Sequence, residues 1–313
     1  MLNRRYLRIK TMQALYSYFQ HEKPDIGLHE RELFKSLDKI YELYVYILVL
    51  LTDIHHTAHL VIEENKNKRL PSKEDLEPNL RFIENVLLVS ISRSEELKKE
   101  VNNRKISWQN DFDLVRKLYS ELRNTELYKN YMASTSPSPK EDKQFLISVA
   151  TEFLYEHELL NHLFEDRNMH WADDTFGAFS MVLRTFENFS GKISLLPLYK
   201  DAEDDKAFIS TLFRKTVVHD KEFAQLIDEK TKNWELDRIA AMDVLLMKMA
   251  LAEFLHLSNI PVKVSLNEYI DISKEYSTPN SKTFINGVLD KIIADLKRTD
   301  KIQKTGRGLM EGK

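Results

Sequence analysis

Cysteine is absent from the 313 residues, which excludes disulfides, thiolate metal centres, iron–sulfur clusters and every mechanism built on a cysteine nucleophile. Glycine occurs 7 times and proline 8 times, too sparsely for the tight turns of a sheet protein or for glycine-rich nucleotide loops. No P-loop, Gly-x-Gly-x-x-Gly or Gly-x-Ser-x-Gly pattern occurs either. A surplus of positive charge is missing as well. The 46 basic and 49 acidic residues leave a net −3, so any attraction to nucleic acid must come from a local patch. Arg4, Arg5 and Arg8 are not followed by the apolar core of a secretory signal. The longest apolar stretch, residues 41–51, is broken by Glu42 and is shorter than the about 20 residues that cross a bilayer. The expectation is a cytoplasmic protein with no membrane segment.

What is present is a chain with 42% hydrophobic residues, ample for packed cores and long enough for two domains. Its periodicity is helical throughout, which predicts an all-α fold. In residues 2–20 a stripe of Leu7, Thr11, Ala14, Leu15 and Tyr18 recurs at helical spacing. The polar side of that helix carries Arg4, Arg5, Arg8 and Lys10 with no acid before Glu22. A long amphipathic helix follows, marked by Leu33, Leu37, Ile40, Tyr44, Ile47, Leu48, Leu51, Ile54 and Ala58. Residues 66–78 and the Ser/Pro-rich residues 133–143 read as breaks. Between and after them, helices are expected over 80–101, 112–128, 145–164 and 171–189.

The last hundred residues predict short helices at 208–217 and 221–229, then a helix over 236–255 that is apolar nearly all round. Ser265 and Glu268 have the spacing of a capping box, with a helix behind them. Residues 276–281 form a polar turn, a final helix runs from Phe284 to Leu296, and the basic tail beyond Lys297 is expected to fray. No fixed-period repeat is visible, which argues against a solenoid.

Two places have the chemistry of a nucleic-acid contact. Arginines take phosphate in bidentate fashion, and Tyr6 and Tyr16 add stacking surface beside them. In the turn, Tyr276 and Phe284 flank Ser277, Thr278, Asn280, Ser281 and Lys282, ahead of a helix N-terminus that favours phosphate. His55 with His59, and Glu158 with His162, have the spacing of metal ligands in bundles, but no further ligand set accompanies them and no metal is expected. Asp173-Asp174 and Asp204-Asp205 fit helix starts, where carboxylates stabilise the dipole.

The C-terminal third carries a family likeness. Asn233-Trp234 with Arg238-Ile239, then Ala250 to Glu253, Ile260-Pro261, Asn267-Glu268 and Phe284 to Asp290 resemble, in order and spacing, the C-terminal half of the NusB family. Arg4, Arg5, Arg8 and the run Gln13-Ala14-Leu15-Tyr16-Ser17 are similar to that family's first helix. The resemblance covers about residues 1–22 and 200–298. It implies two small three-helix bundles that pair with NusE, a small-subunit ribosomal protein. It further implies binding to boxA-type single-stranded RNA in nascent ribosomal RNA, within an RNA polymerase elongation complex that resists termination. Carried over by position, RNA contacts fall on Arg4, Arg5, Arg8, Lys10, Gln13, Tyr16, Tyr276, Asn280, Lys282 and Phe284. Partner contacts fall on Tyr16 and Asp243. Lys10 adds charge where the family varies, and Asn280 stands where the family often has an acid. Residues 23–199 have no counterpart in that likeness and read as a helical insertion, with 299–313 as a flexible tail.

Two other function classes compete. NusB-like domains also occur on ribosomal RNA cytosine methyltransferases, but those catalysts resemble one another in a cysteine nucleophile and a glycine-rich cofactor loop, and this chain has neither. The second is a protein-binding helical scaffold or ribosome-biogenesis factor, favoured by the size of the insertion. The expected protein is a non-enzymatic adaptor without a cofactor.

Overall fold

In a computed structural model, residues 1–231 and 239–309 are described; every regular element among them is helical and none is a strand. The chain forms two compact units. A core unit takes residues 2–37 and the chain from Tyr199 onward, and an extension unit takes Met1 with Asp38–Leu198. Helix α1 (Arg4–Gln20) is capped by Asn3, whose side chain accepts from Tyr6 N at 2.8 Å. The division between units falls inside α2 (Ile26–Lys66), so the boundary expected near residue 22 lies instead beyond Leu37.

The extension is all helix: α3 (Lys73–Leu76), α4 (Val86–Ser92), α5 (Glu95–Arg104), α6 (Phe112–Asn124), α7 (Glu126–Ala133), α8 (Pro139–Ser148), α9 (Glu158–Arg167) and α10 (Thr175–Glu187). By length and composition α2 is apolar enough to cross a membrane. Its apolar middle, however, is the core of this unit, with Leu43 to Leu48 buried. The Tyr44 hydroxyl meets Thr185 Oγ1 at 2.8 Å and accepts from Leu196 N, while Trp108 and Trp171 donate their indole N–H to the Tyr46 and Lys39 carbonyls. A helix whose aromatic neighbours are hydrogen-bonded onto it this way has the surroundings of a buried core helix.

Several expected long helices are broken by capping residues that periodicity does not reveal. Ser94 Oγ accepts from Leu97 N and starts α5, splitting the 80–101 helix. Thr125 does the same for α7, within 112–128. The 145–164 helix is interrupted by a π-helical stretch, Val149–Leu154, before α9. The expected linker over 133–143 is shorter, because Ser138 caps α8 and Pro139 occupies its first position. Asp142 is then buried, accepting from Val86 N and the Tyr131 hydroxyl. Of the histidines weighed as ligands, His55 contacts the Ile83 carbonyl through Nε2 at 2.8 Å and packs edge-on to His59.

In the core unit, α11 (Ala202–Val218), α12 (Asp220–Thr231), α13 (Ala241–His256), α14 (Val262–Tyr276) and α15 (Ser281–Arg298) gather with α1. Helix α13 is the hub, touching α1, α11, α12, α14 and α15. Its sequence explains this, since a helix apolar all round must be enclosed, and Leu245 to Met247 and Met249 to Phe254 are buried. The expected start of this helix at 236–238 and the Asn233-Trp234 to Arg238 motif lie outside the described residues. The tail is ordered at its root. Thr305 N donates to Ser258 O, and Lys304 Nζ donates to the Glu253 and Leu257 carbonyls, placing a cation on the negative end of α13.

At the same end of α13, His256 stacks on His219 with centroids 4.6 Å apart. Burial first, then the charges of His219 and Lys215, press the His256 pKa from 6.5 down to about 4, with Glu222 pulling the other way. A folded value below the unfolded one means that folding favours neutral His256, so this contribution is complete above pH 6.5 and is lost as the pH falls towards about 4. Urea denaturation across that window is expected to show His256→Gln losing less stability on acidification than the parent. Equal losses would contradict it.

Candidate nucleic-acid interface

Helix α1 projects its arginines into acidic settings of the core unit, those of Arg5 and Arg8 sharing Glu268. Arg4 reaches Asp204 through Nη2 at 2.6 Å and Asp205 through Nε at 2.9 Å, and lies over the Phe208 ring at 4.3 Å. Asp205 is fixed by the Lys200 and Asp201 backbone N–H groups, and Asp201 itself caps α11. The acid pair read as a helix start does stand at one, and also receives Arg4. Arg5 takes Glu268 through Nε at 3.0 Å and Nη2 at 3.1 Å, and Asp271 through Nη2 at 2.8 Å. Hydrogen bonding to Glu268 raises the Arg5 pKa further. On Asp271, bonding to Lys274 leads and Arg5 adds to it, and the carboxyl falls below its usual range despite some burial.

Arg8 differs in kind. It is 2% exposed and donates to both oxygens of Glu253, at 2.9 and 2.6 Å. Ser265 Oγ and the Tyr269 hydroxyl donate to the same carboxylate at 2.6 and 2.9 Å. Burial would push the Glu253 carboxyl up, but Arg8, Ser265 and Tyr269 together hold it below its ordinary value, and burial drives the Tyr269 pKa well up. This replaces the capping box expected at Ser265 and Glu268. Helix α14 begins after Pro261, so Ser265 lies inside it and bonds Glu253, while Glu268 serves Arg5 and also lies 3.5 Å from Arg8 Nη1. Lys10 is buried too.

The polar turn is fastened to α13. Asp243 accepts from Ser277 Oγ at 2.5 Å and Ser281 Oγ at 2.8 Å, and Ser281 Oγ also accepts from Thr278 N. Expected to face a partner, Asp243 is instead 4% exposed, spent on two serines of the turn. Asn280 caps α15 without a side-chain hydrogen bond, and Lys282 is exposed. Helix α14 connects the two places. Its Glu268 and Asp271 hold Arg5, and Tyr276, 38% exposed, ends the same helix ~8 Å beyond Asp271 at about 1.5 Å rise per residue. Tyr16 is the most open aromatic of α1 at 43%; Gln13 and Phe284 are half-buried.

Sequence reasoning gave these acids capping or marker roles, or none, and missed their pairing with the α1 arginines. Glu253, Glu268, Asp271, Asp204 and Asp205 set five carboxylates against the guanidinium groups of Arg4, Arg5 and Arg8. The available signal was Glu268 and Asp271, which share one face of a helix at i, i+3.

Residues 188–294 match the model of the NusB family. Transcription antitermination protein NusB of Salinibacter ruber is 44% identical over 115 residues, covering 37% of this chain and 71% of that protein. Its namesake in Chloroherpeton thalassium is 40% identical over 106 residues, 34% of this chain and 50% of that protein. The one in Desulfatibacillum aliphaticivorans is 38% identical over 102 residues, 33% and 71% respectively. No solved structure matches the chain.

Proposed function

This chain belongs to the NusB family, and from that premise we propose that it acts in the cytoplasm as a non-catalytic RNA-binding adaptor of transcription antitermination. The observation that supports this best is the packing of the arginine-bearing α1 against α11, α13 and α14 of the family-matched segment. In this reading the adaptor holds boxA-type single-stranded RNA together with NusE and presents them to an RNA polymerase elongation complex.

Arg4 and Arg5, both part-exposed, contact phosphates and supply salt-dependent affinity. Tyr16 and Tyr276 supply stacking, while Asn280, Lys282 and the start of α15 add polar contacts beside Phe284. Gln13 flanks Tyr16, which also borders the NusE surface. Arg8, Lys10 and Asp243 act from beneath, holding α1 and the turn in place. The reading is tested by retaining NusE on the immobilised protein with and without boxA-type RNA. Retention is expected to rise when RNA is present; no retention in either case, with no RNA binding, would refute it.

A further inference from the structure

Where RNA phosphates are placed by the reading above, the free protein already holds anions of its own. We infer that the α1 arginines are self-occupied, Arg4 by Asp204 and Arg5 by Glu268 with Asp271, and that a nucleic-acid strand binds by displacing these carboxylates. The inference rests on the RNA-binding role of α1 and adds a gate to it.

A carboxylate offers a guanidinium the same two-oxygen edge that a phosphate does. Arg5 engages Glu268 through two nitrogens and both carboxylate oxygens. These pairs are built to exchange. The Arg4–Asp204 side chains are 29% and 56% exposed, and Arg5 at 40% meets Glu268 at 22% and Asp271 at 35%, so water reaches every pair and each holds far less firmly than an enclosed one. Arg8 marks the contrast, because its pair with Glu253 is enclosed and hydrogen-bonded on all sides. Asp205 is likewise fixed by two backbone N–H groups, so Arg4 keeps one carboxylate while Asp204 is free to yield.

Selectivity follows from the exchange. A single anion gains little by replacing a carboxylate of equal charge. A strand that replaces two at once also releases its condensed counterions, which a small anion does not have. The salt dependence changes as well. Salt weakens RNA binding, but it also loosens the internal pairs and frees the arginines, so the two effects partly cancel in the parent protein.

The test is fluorescence anisotropy with a labelled single-stranded boxA-type RNA over a salt series, using Asp204→Asn, Glu268→Gln and Asp271→Asn. Glu229→Gln on α12 is the control, an exposed change of equal charge. Each of the three is expected to bind about two- to fivefold more tightly, the equivalent of one surface pair, with a steeper salt slope, while the control stays near the parent. Equal gains in the control, or no gain in any of the three while the parent binds, would overturn the gate and leave the RNA reading standing. Binding by none of the proteins would sink both.

Discussion

Arg8→Ala is expected to destabilise the core unit by about 3–5 kcal/mol, the cost of leaving a buried carboxylate without its cation. Glu253 is 0% exposed at its side chain, and Ser265 and Tyr269 alone do not replace a guanidinium that grips both oxygens. The pH dependence identifies the cause. In the parent the Glu253 pKa lies below its ordinary value, so its contribution is present above the unfolded pKa and is lost as the pH drops through the folded one. In the variant, burial is opposed only by the hydrogen bonds from Ser265 and Tyr269 and raises that pKa, so the carboxyl takes up a proton on mild acidification. The deficit measured by urea denaturation is therefore expected to shrink between about pH 7 and about pH 5. Arg8→Ala with Glu253→Gln is expected to recover part of the loss at neutral pH. A deficit that ignores pH, or a double variant worse than the single one, would contradict this account.

Asp243→Ala is expected to cost about 2–3 kcal/mol, the range for hydrogen bonds to a charged group when a partner, here Ser281, is left buried. It is also expected to release the turn. Ser277 and Ser281 both point their hydroxyls at this carboxylate, and Ser281 in turn receives Thr278 N. Amide hydrogen exchange over residues 278–284 is expected to accelerate, while α1 stays protected. RNA affinity is expected to fall with little change in salt slope, because stacking and base-edge contacts are lost and phosphate contacts are kept. A steep loss of salt dependence would place the turn among the phosphate contacts instead.

The sequence made the local patterns legible. Leu7, Thr11, Leu15 and Tyr18 of the expected stripe are buried and Ala14 is half-buried, and α13 is enclosed as its composition demands. The likeness to NusB rested on ordered motifs and placed the family-matched segment correctly. What local pattern does not contain is distance along the chain. Arg8 and Glu253 are 245 positions apart; the spacing of Arg8 with Thr11, Met12 and Leu15 puts it on the buried face of α1, but nothing in α1 names the carboxylate it meets there. The same holds for Asp243, whose serines belong to another helix and its leading turn. In the extension, period 3.6 continues across Ser94 and Thr125, so helix breaks made by a capping hydroxyl were hidden within unbroken apolar periodicity.

The contact proposed for α1 and the turn is addressed by one titration. Labelled boxA-type RNA is titrated with the parent protein and with Arg5→Ala combined with Tyr16→Ala, over a salt series, with the helical fold checked by circular dichroism. Affinity is predicted to fall by about tenfold or more, with the slope of log K against log salt shallower by up to about 0.7, less to the extent that the internal pairs of Arg5 already offset it in the parent. Unchanged affinity and slope in a folded variant would contradict the account.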